Sequence, residues 1–454
     1  MTSDVVALLR AELGERVDTS SAALGGARAD KSGHAAAGTP LAVVHAASVA
    51  DVQGVMRIAT ATRTPVVPRG AGTGLAGGAN TGDGEISLSL RGMDRVLEIR
   101  PDDLLAVVEP GILNADLNAV LEPHGVWWAP DPASRAISSV GGNIATGAGG
   151  LLCAKYGVVR DAVLALDVVL ADGRLLHLGH RSVKGVTGLD LTSLMIGSEG
   201  TLGVVVGATL KLRRLVAGQR VTLTALFEGV RPAAVAAAAV TASGVQPAIM
   251  ELMDATSLAA VHRLLSLPAP PEGAAQLTVQ TDGPVAVDEA RAIAEVLRKA
   301  GGSVAVAADD AEGEALLAVR RALHPAMETL GTTLIEDVSV PRSALPDMFD
   351  EIARIERKYG LVIPAVAHAG DGNLHPNFIF EGPVVPPVVW EAAEELFRAA
   401  LSLGGTLTGE HGIGVLKRRW LADELGDDQW ALQRDIARVF DPLGILNPGK
   451  VFAG

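Results

Sequence analysis

Apolar residues at Val52, Val55, Met56 and Ala59 recur at helical spacing behind Ser48, an N-cap candidate, with Asp51 near the third position. The pattern predicts a helix over Val49–Thr62. Met1–Arg10 reads as the first turns of another amphipathic helix. Strict alternation takes over in Glu85–Leu90 and again in Thr201–Leu212, while Leu164–Leu170 and Leu175–Leu178 flank an Ala-Asp-Gly turn and predict a hairpin. Up to about Arg214 the chain is glycine-rich and mixes helices with strands.

From about Val216 the rhythm lengthens. Arg220–Phe227, Gln276–Asp282 and Ser303–Ala308 read as strands, with an Ala-rich helix from Pro232 and another over Val287–Ala300; Ser266–Gly273 reads as a surface loop. Strand, helix, strand repeated twice predicts a ferredoxin-like layer of helices on one antiparallel sheet. Trp390–Leu403 and Asp427–Phe440 are helical candidates, followed by a tail over Asp441–Phe452. The expected architecture is α+β in three stretches: 1–214, 215–405, and a helical 406–454 that returns to the first.

Composition narrows the classes. Of 454 residues 48% are hydrophobic and 20% charged, so the chain can bury a core and is no disordered polymer. A net charge of −14 argues against a general nucleic-acid binder. One cysteine, Cys153, excludes an intramolecular disulfide and a thiolate-rich zinc site, so any metal must use histidine and carboxylate. No export signal or spanning stretch is visible, and a cytoplasmic chain, at most peripheral to the inner face of a membrane, is expected.

Pro68–Gly78 (PRGAGTGLAGG) contains a literal G-x-G-x-x-G, yet the glycines run on toward the strand Glu85–Leu90 and leave no place for the helix a Rossmann loop requires. Such a loop can still line up N–H groups for an anion. Pro130–Gly150 carries almost no bulky side chain, which suits either a flat ligand lying on main chain or a mobile surface loop. Ile196–Val205 sets Glu199 between glycines before a strand.

These segments, PRGAGTGL, DPAS followed by GGNIATGAGG, and GSEGTLG, resemble the FAD-binding domain of the vanillyl-alcohol oxidase and p-cresol methylhydroxylase superfamily over about Thr39–Leu212. The resemblance implies that Pro68, Arg69, Gly70, Ala71, Gly72, Thr73 and Gly74 cradle the pyrophosphate. It also implies that Pro130, Asp131, Ser138, Gly141, Gly142, Asn143, Ala145, Thr146, Gly157, Glu199, Gly200, Gly203 and Val204 line the rest of the FAD. Residues 68–78 hold no histidine, so the FAD is expected to be non-covalent.

In the second half, His368 and His375 stand seven apart across a Gly-Asp-Gly-Asn turn; a strand, a turn and a returning strand would aim both imidazoles at one centre, although ordinary turn decoration explains the glycines equally well. Glu410-His411 follows between glycines, at what reads as the start of a helix, where a solvated first-turn acid is also natural. Together these features resemble the C-terminal domain of FAD-linked D-2-hydroxyacid dehydrogenases, among them D-lactate dehydrogenases, glycolate oxidase flavin subunits and D-2-hydroxyglutarate dehydrogenases. The resemblance implies that His368, His375 and Glu410 bind zinc, manganese or iron, zinc foremost, and that His411 is the base. It further makes Arg320, otherwise a surface helix arginine, the holder of the substrate carboxylate and Asn377 a substrate-side polar group. The tail NPGK brings Asn447 to the flavin.

The expected reaction is oxidation of a D-2-hydroxyacid to the 2-oxoacid by hydride transfer to flavin N5. Ile335 stands where the hydroxyglutarate enzymes carry a lysine, which favours D-lactate or glycolate over D-2-hydroxyglutarate. An alkyl-transferring relative that makes ether lipids and a non-catalytic flavoprotein subunit are the more distant alternatives. The expected partners are a small 2-hydroxyacid and an electron acceptor that the sequence leaves open among quinone, cytochrome and electron-transfer flavoprotein. A homodimer is also compatible with the sequence, and no nucleic acid is expected.

Overall fold

The computed structural model describes residues 2–452, so Met1 of the expected N-terminal helix lies outside the described residues. The chain divides into two compact units. The first comprises the chain up to Gly149, Gly157–Leu215 and the stretch from Glu410; the second comprises Gly150–Tyr156 and Val216–Gly409.

In the first unit, strands β1 (Val17–Asp18), β2 (Ala42–His45), β3 (Val66–Arg69) and β4 (Ile86–Ser89) form a sheet ordered β1-β2-β4-β3, in which β4 runs parallel to both neighbours. Parallel pairing needs a crossover, and the helix Val49–Thr62 supplies the one between β2 and β3. Ser48 caps this helix by accepting the Asp51 N–H, as its spacing predicts. Val52, Val55, Met56 and Ala59 pack there against Val5 and Leu9 of the helix Thr2–Leu13.

A second sheet combines β5 (Val96–Arg100), β6 (Leu105–Val108), β8 (Val163–Val169), β9 (Leu175–Gly179) and β10 (Val204–Lys211) in the order β5-β6-β10-β8-β9, all antiparallel. A short ribbon pairs β7 (Val126–Trp127) with β11 (Arg213–Arg214). The expected hairpin is β8–β9. Strand β10 lies between two neighbours and buries every residue but Lys211, so both of its faces are covered. The small-residue segment Pro130–Gly150 is neither wholly extended nor a plain loop. It contains the helix Val140–Thr146, capped by Ser139, whose Val140 and Ile144 are fully buried.

The second unit is built on one antiparallel sheet of eight strands. Its first four, β12 (Gln219–Phe227), β13 (Ile249–Met253), β14 (Ala275–Gly283) and β15 (Ser303–Val306), take the order β15-β12-β14-β13, the ferredoxin-like arrangement. Beyond β13 the sheet continues through β18 (Ala365–His368), β19 (Asn373–Phe380) and β16 (Thr332–Ile335), with β17 (Val338–Ser339) also on β19. The helix Val230–Ala242 packs against both Ala286–Lys299 and Leu345–Tyr359. Ala255–Leu264, Asp310–Arg321 and Leu323–Glu328 share a core with Met253 and Val366. The C-terminal helix runs over Leu421–Phe440 with a break at Gly426, and the helix expected over Trp390–Leu403 is Pro387–Ser402.

Candidate active site

In the first unit, β3 runs into the glycine loop, which passes to β4 without an intervening helix, as the glycine run implied. The Arg69 guanidinium is spent on bracing: Nη1 donates to Ala79 O at 2.8 Å and Nη2 to Ala29 O at 2.8 Å. Burial lowers its pKa, and Asp30 opposes that shift. Gly72 turns over this guanidinium at φ +69°. Gly70 lies against the helix Val140–Thr146, where a Cβ would come 2.4 Å from Ser139 Oγ. Gly141 likewise has Pro110 where a Cβ would be. Loop and helix start therefore meet as bare main chain, a bed that a flat cofactor can approach and a side chain would fill.

Small side chains behind the bed are hydrogen-bonded to one another. Asn143 Nδ2 donates to Ser138 Oγ at 3.2 Å, Asn114 Nδ2 donates to Asn143 Oδ1 at 3.3 Å and to Pro130 O at 2.9 Å, and Thr146 Oγ1 donates to Gly142 O at 3.0 Å. Ala145 O accepts the Glu199 N–H at 2.8 Å, and Gly200 sits over Pro68. Asp131 is buried, and Val204 opens β10. Gly157 and Gly203 are glycine for protein contacts, since a Cβ would strike Asp161 or Val168. A cavity of about 480 Å³ opens on Arg69–Thr73 and is also lined by Lys31, His45, Arg91 and Ile137.

Glu199 takes a left-handed conformation at φ +52° and is buried. Its carboxylate accepts the N–H groups of Ile413 at 2.7 Å and Gly414 at 2.9 Å, yet burial outweighs both and pushes its pKa up to about 7. Asn447 Nδ2 donates to Glu199 O at 2.6 Å and Gly78 O at 3.0 Å, which ties the tail to this loop.

In the second unit, β18 and β19 form the expected hairpin around Gly372, whose φ of +93° only glycine adopts readily. His368 and His375 are both buried, with ring centroids 5.1 Å apart at 84°. Asn373 Nδ2 donates to Asp337 Oδ1 at 2.6 Å and to Val338 O at 2.9 Å, and Thr408 Oγ1 bonds Asp337 as well. Asn377 donates through Nδ2 to His375 O at 2.8 Å and Pro364 O at 3.2 Å, leaving Oδ1 as its free-standing acceptor. Arg320, on the last turn of the helix Asp310–Arg321, is nearly buried and reaches Glu251.

Glu410 follows directly on Gly409, whose main chain presses on the Asn373 side chain. Ligand atoms of His368, His375 and Glu410 lie within 4.8 Å of one another. The expected helix start is absent there: Gly409–Lys417 is irregular, and the first helical turn is Arg418–Trp420. Backbone at Gly412 and Gly414, both at positive φ, is committed to Glu199 and Ala76, which leaves no helical path. The His411 Nε2 is 3.7 Å from Glu410 Oε1. Two imidazoles and a carboxylate are a donor set suited to a borderline divalent cation such as zinc or manganese.

Sequence reasoning missed Glu251. A single acid in the apolar run Ile249–Met253, all of it buried, is the signal that a partner must be nearby.

Comparison with known proteins decides the family. Residues 40–179 match an FAD binding domain, and 217–451 match the C-terminal domain of FAD linked oxidases. The chain belongs to the FAD-linked oxidases. Within that family it is 38% identical to the glycolate oxidase subunit GlcD of Bacillus subtilis, over 91% of this chain and 89% of that one. It is 34% identical to a probable mitochondrial D-lactate dehydrogenase of Danio rerio, over 91% and 84%. The fold of this FAD-linked oxidase resembles that of p-cresol methylhydroxylase, with a TM-score of 0.79 at 19% identity over 99% and 96% of the two chains. It is an FAD-dependent oxidoreductase, with the fold of the vanillyl-alcohol oxidase and p-cresol methylhydroxylase superfamily. No described helix is long and apolar enough to cross a membrane.

Proposed function

We propose that this oxidoreductase converts a D-2-hydroxyacid of the D-lactate or glycolate type to its 2-oxoacid, using non-covalent FAD and a divalent metal. The observation that carries the reading is the His368–His375–Glu410 group, in a chain whose relatives include a glycolate oxidase subunit and a probable D-lactate dehydrogenase. The bound flavin would supply a hydride acceptor, and the metal a Lewis acid that lowers the pKa of the substrate hydroxyl.

The chain's own residues do the rest. His368, His375 and Glu410 would hold the metal, and the glycine bed at Gly70–Gly74 and Gly141–Asn143 the FAD. Arg320 binds the substrate carboxylate through its two η nitrogens, which have no hydrogen-bond partner among the described residues. Asn377 offers Oδ1 to a substrate donor. His411 takes the hydroxyl proton on an imidazole nitrogen, being the side chain whose ordinary pKa lies closest to neutral. Ile335, directly across the strand pair from Asn377, sets an apolar neighbour on this face and supports a short or apolar acid over a dicarboxylate.

Anaerobic mixing with D- and L-lactate, glycolate and D-2-hydroxyglutarate, with and without chelator, tests the reading by the flavin absorbance. Bleaching by a D-acid that chelator suppresses is expected, and it should be slowed by roughly 10²–10⁴-fold in His411→Ala. A flavin that no hydroxyacid bleaches would sink it.

A further inference from the structure

Arg320 and His368 come from a helix and a strand, yet one carboxylate joins them. Glu251 stands in the middle of β13 and is the direct cross-strand neighbour of His368. It is 1% exposed. Its Oε2 accepts the Arg320 Nε–H at 2.8 Å, and its Oε1 lies 2.8 Å from His368 Nδ1. A carboxylate buried this deeply is costly unless each oxygen is satisfied by a donor, and here the two oxygens serve different partners.

Each bond has a consequence for the partner. An ionised carboxylate can only accept, so His368 must carry its proton on Nδ1 and present the Nε2 lone pair to the ligand group. Arg320 is gripped at Nε alone. That fixes the plane of its guanidinium while leaving both η nitrogens for an incoming carboxylate, in the fork geometry that two-point recognition uses.

We propose that Glu251 is a positioning residue that holds His368 in its metal-binding tautomer and Arg320 in its substrate-binding plane, so that one buried carboxylate sets both metal affinity and substrate recognition. The proposal rests on the metal and hydroxyacid reading above. It separates Glu251 from a mere core ion pair, whose loss would lower stability without touching ligand binding.

Glu251→Gln is the discriminating substitution. The amide keeps one acceptor and turns an NH₂ toward the other partner. If that partner is His368, its proton must move to Nε2, the atom the metal needs; if it is Arg320, two donors face each other and the guanidinium plane is released.

The experiment uses the full-length flavoprotein stripped of metal with chelator and titrated with Zn²⁺ against a chromophoric competitor. Expected is a Zn²⁺ affinity weaker by about 10–100-fold in Glu251→Gln, the range for loss of a carboxylate behind a metal-bound histidine. The KM for the D-acid that bleaches the flavin should rise as well. Arg320→Lys keeps a cation beside Glu251 but loses the fork, so KM should rise while Zn²⁺ affinity stays at the wild-type value. Unchanged Zn²⁺ affinity and KM in a Glu251→Gln protein that merely melts earlier would overturn the proposal. Should that variant not fold, ¹⁵N spectra of the histidines in the metal-free wild type decide: the Nδ1–H tautomer at His368 supports the proposal and the Nε2–H tautomer overturns it. A wild-type protein that binds no Zn²⁺ at His368, His375 and Glu410 overturns the metal reading itself and this proposal with it, a result distinct from a selective failure of Glu251→Gln.

Discussion

Glu199 carries a proton-dependent load that its sequence position does not advertise. Burial raises its pKa from an ordinary 4.5 to about 7, although two backbone N–H groups favour the ionised form. The folded state therefore binds this proton more tightly than the unfolded chain. Its contribution to stability is fully present below about pH 4.5 and is lost as pH rises through about 7, with a full span of roughly 3 kcal/mol. Glu199→Gln removes the titration. The difference in melting temperature between wild type and variant should change steadily from pH 4.5 to 7 in the wild type's disfavour. Parallel melting curves across that window would show that Glu199 titrates normally.

Elements are positioned here by close approach of main chain, and the glycine loop is the clearest case. A methyl at Gly70 would stand 2.4 Å from Ser139 Oγ and 3.5 Å from Gly142 Cα, so loop and helix start must part. Gly70→Ala is expected to cost about 1–3 kcal/mol and to weaken flavin retention about tenfold or more, read as the flavin-to-protein absorbance ratio after desalting. Ser48→Ala is the control: it removes the cap of Val49–Thr62 at about 1 kcal/mol and should leave the ratio unchanged. These two helices also mark what can be read from sequence. Val49–Thr62 announces itself by cap and spacing. Val140–Thr146 is seven residues with two glycines and three β-branched residues, and it forms because Val140 and Ile144 are buried and Ser139 caps it, which is tertiary context overriding propensity. Likewise the hairpin of His368 and His375 is legible because seven residues and a Gly-rich turn set its geometry locally. Glu251 is 117 residues from His368, and only strand pairing brings the two together.

At the scale of the whole chain, the second unit is an insertion that borrows a piece from inside the first. Gly150–Tyr156 interrupts the first unit's sequence yet folds with the second. Lys155 Nζ donates to Asp282 O at 3.0 Å and also pairs with its carboxylate, Tyr156 Oη bonds the same carboxylate, and Gln246 Nε2 donates to Ala154 O at 2.7 Å. The compositional change near Val216 marks where the long segment begins but carries no trace of this short one, because a seven-residue stretch has no rhythm of its own. Asp282, next to last in strand β14, is the cross-strand partner of Arg220 of β12, so the borrowed segment meets the sheet at one end of this strand pair. Tyr156→Phe leaves a buried carboxylate oxygen without its hydroxyl donor, at about 1–3 kcal/mol. Hydrogen exchange should then accelerate in β12 and β14 while the two sheets of the first unit keep their protection. Faster exchange in β8 or β10 instead would mean that Gly150–Tyr156 belongs energetically to the unit whose sequence it interrupts.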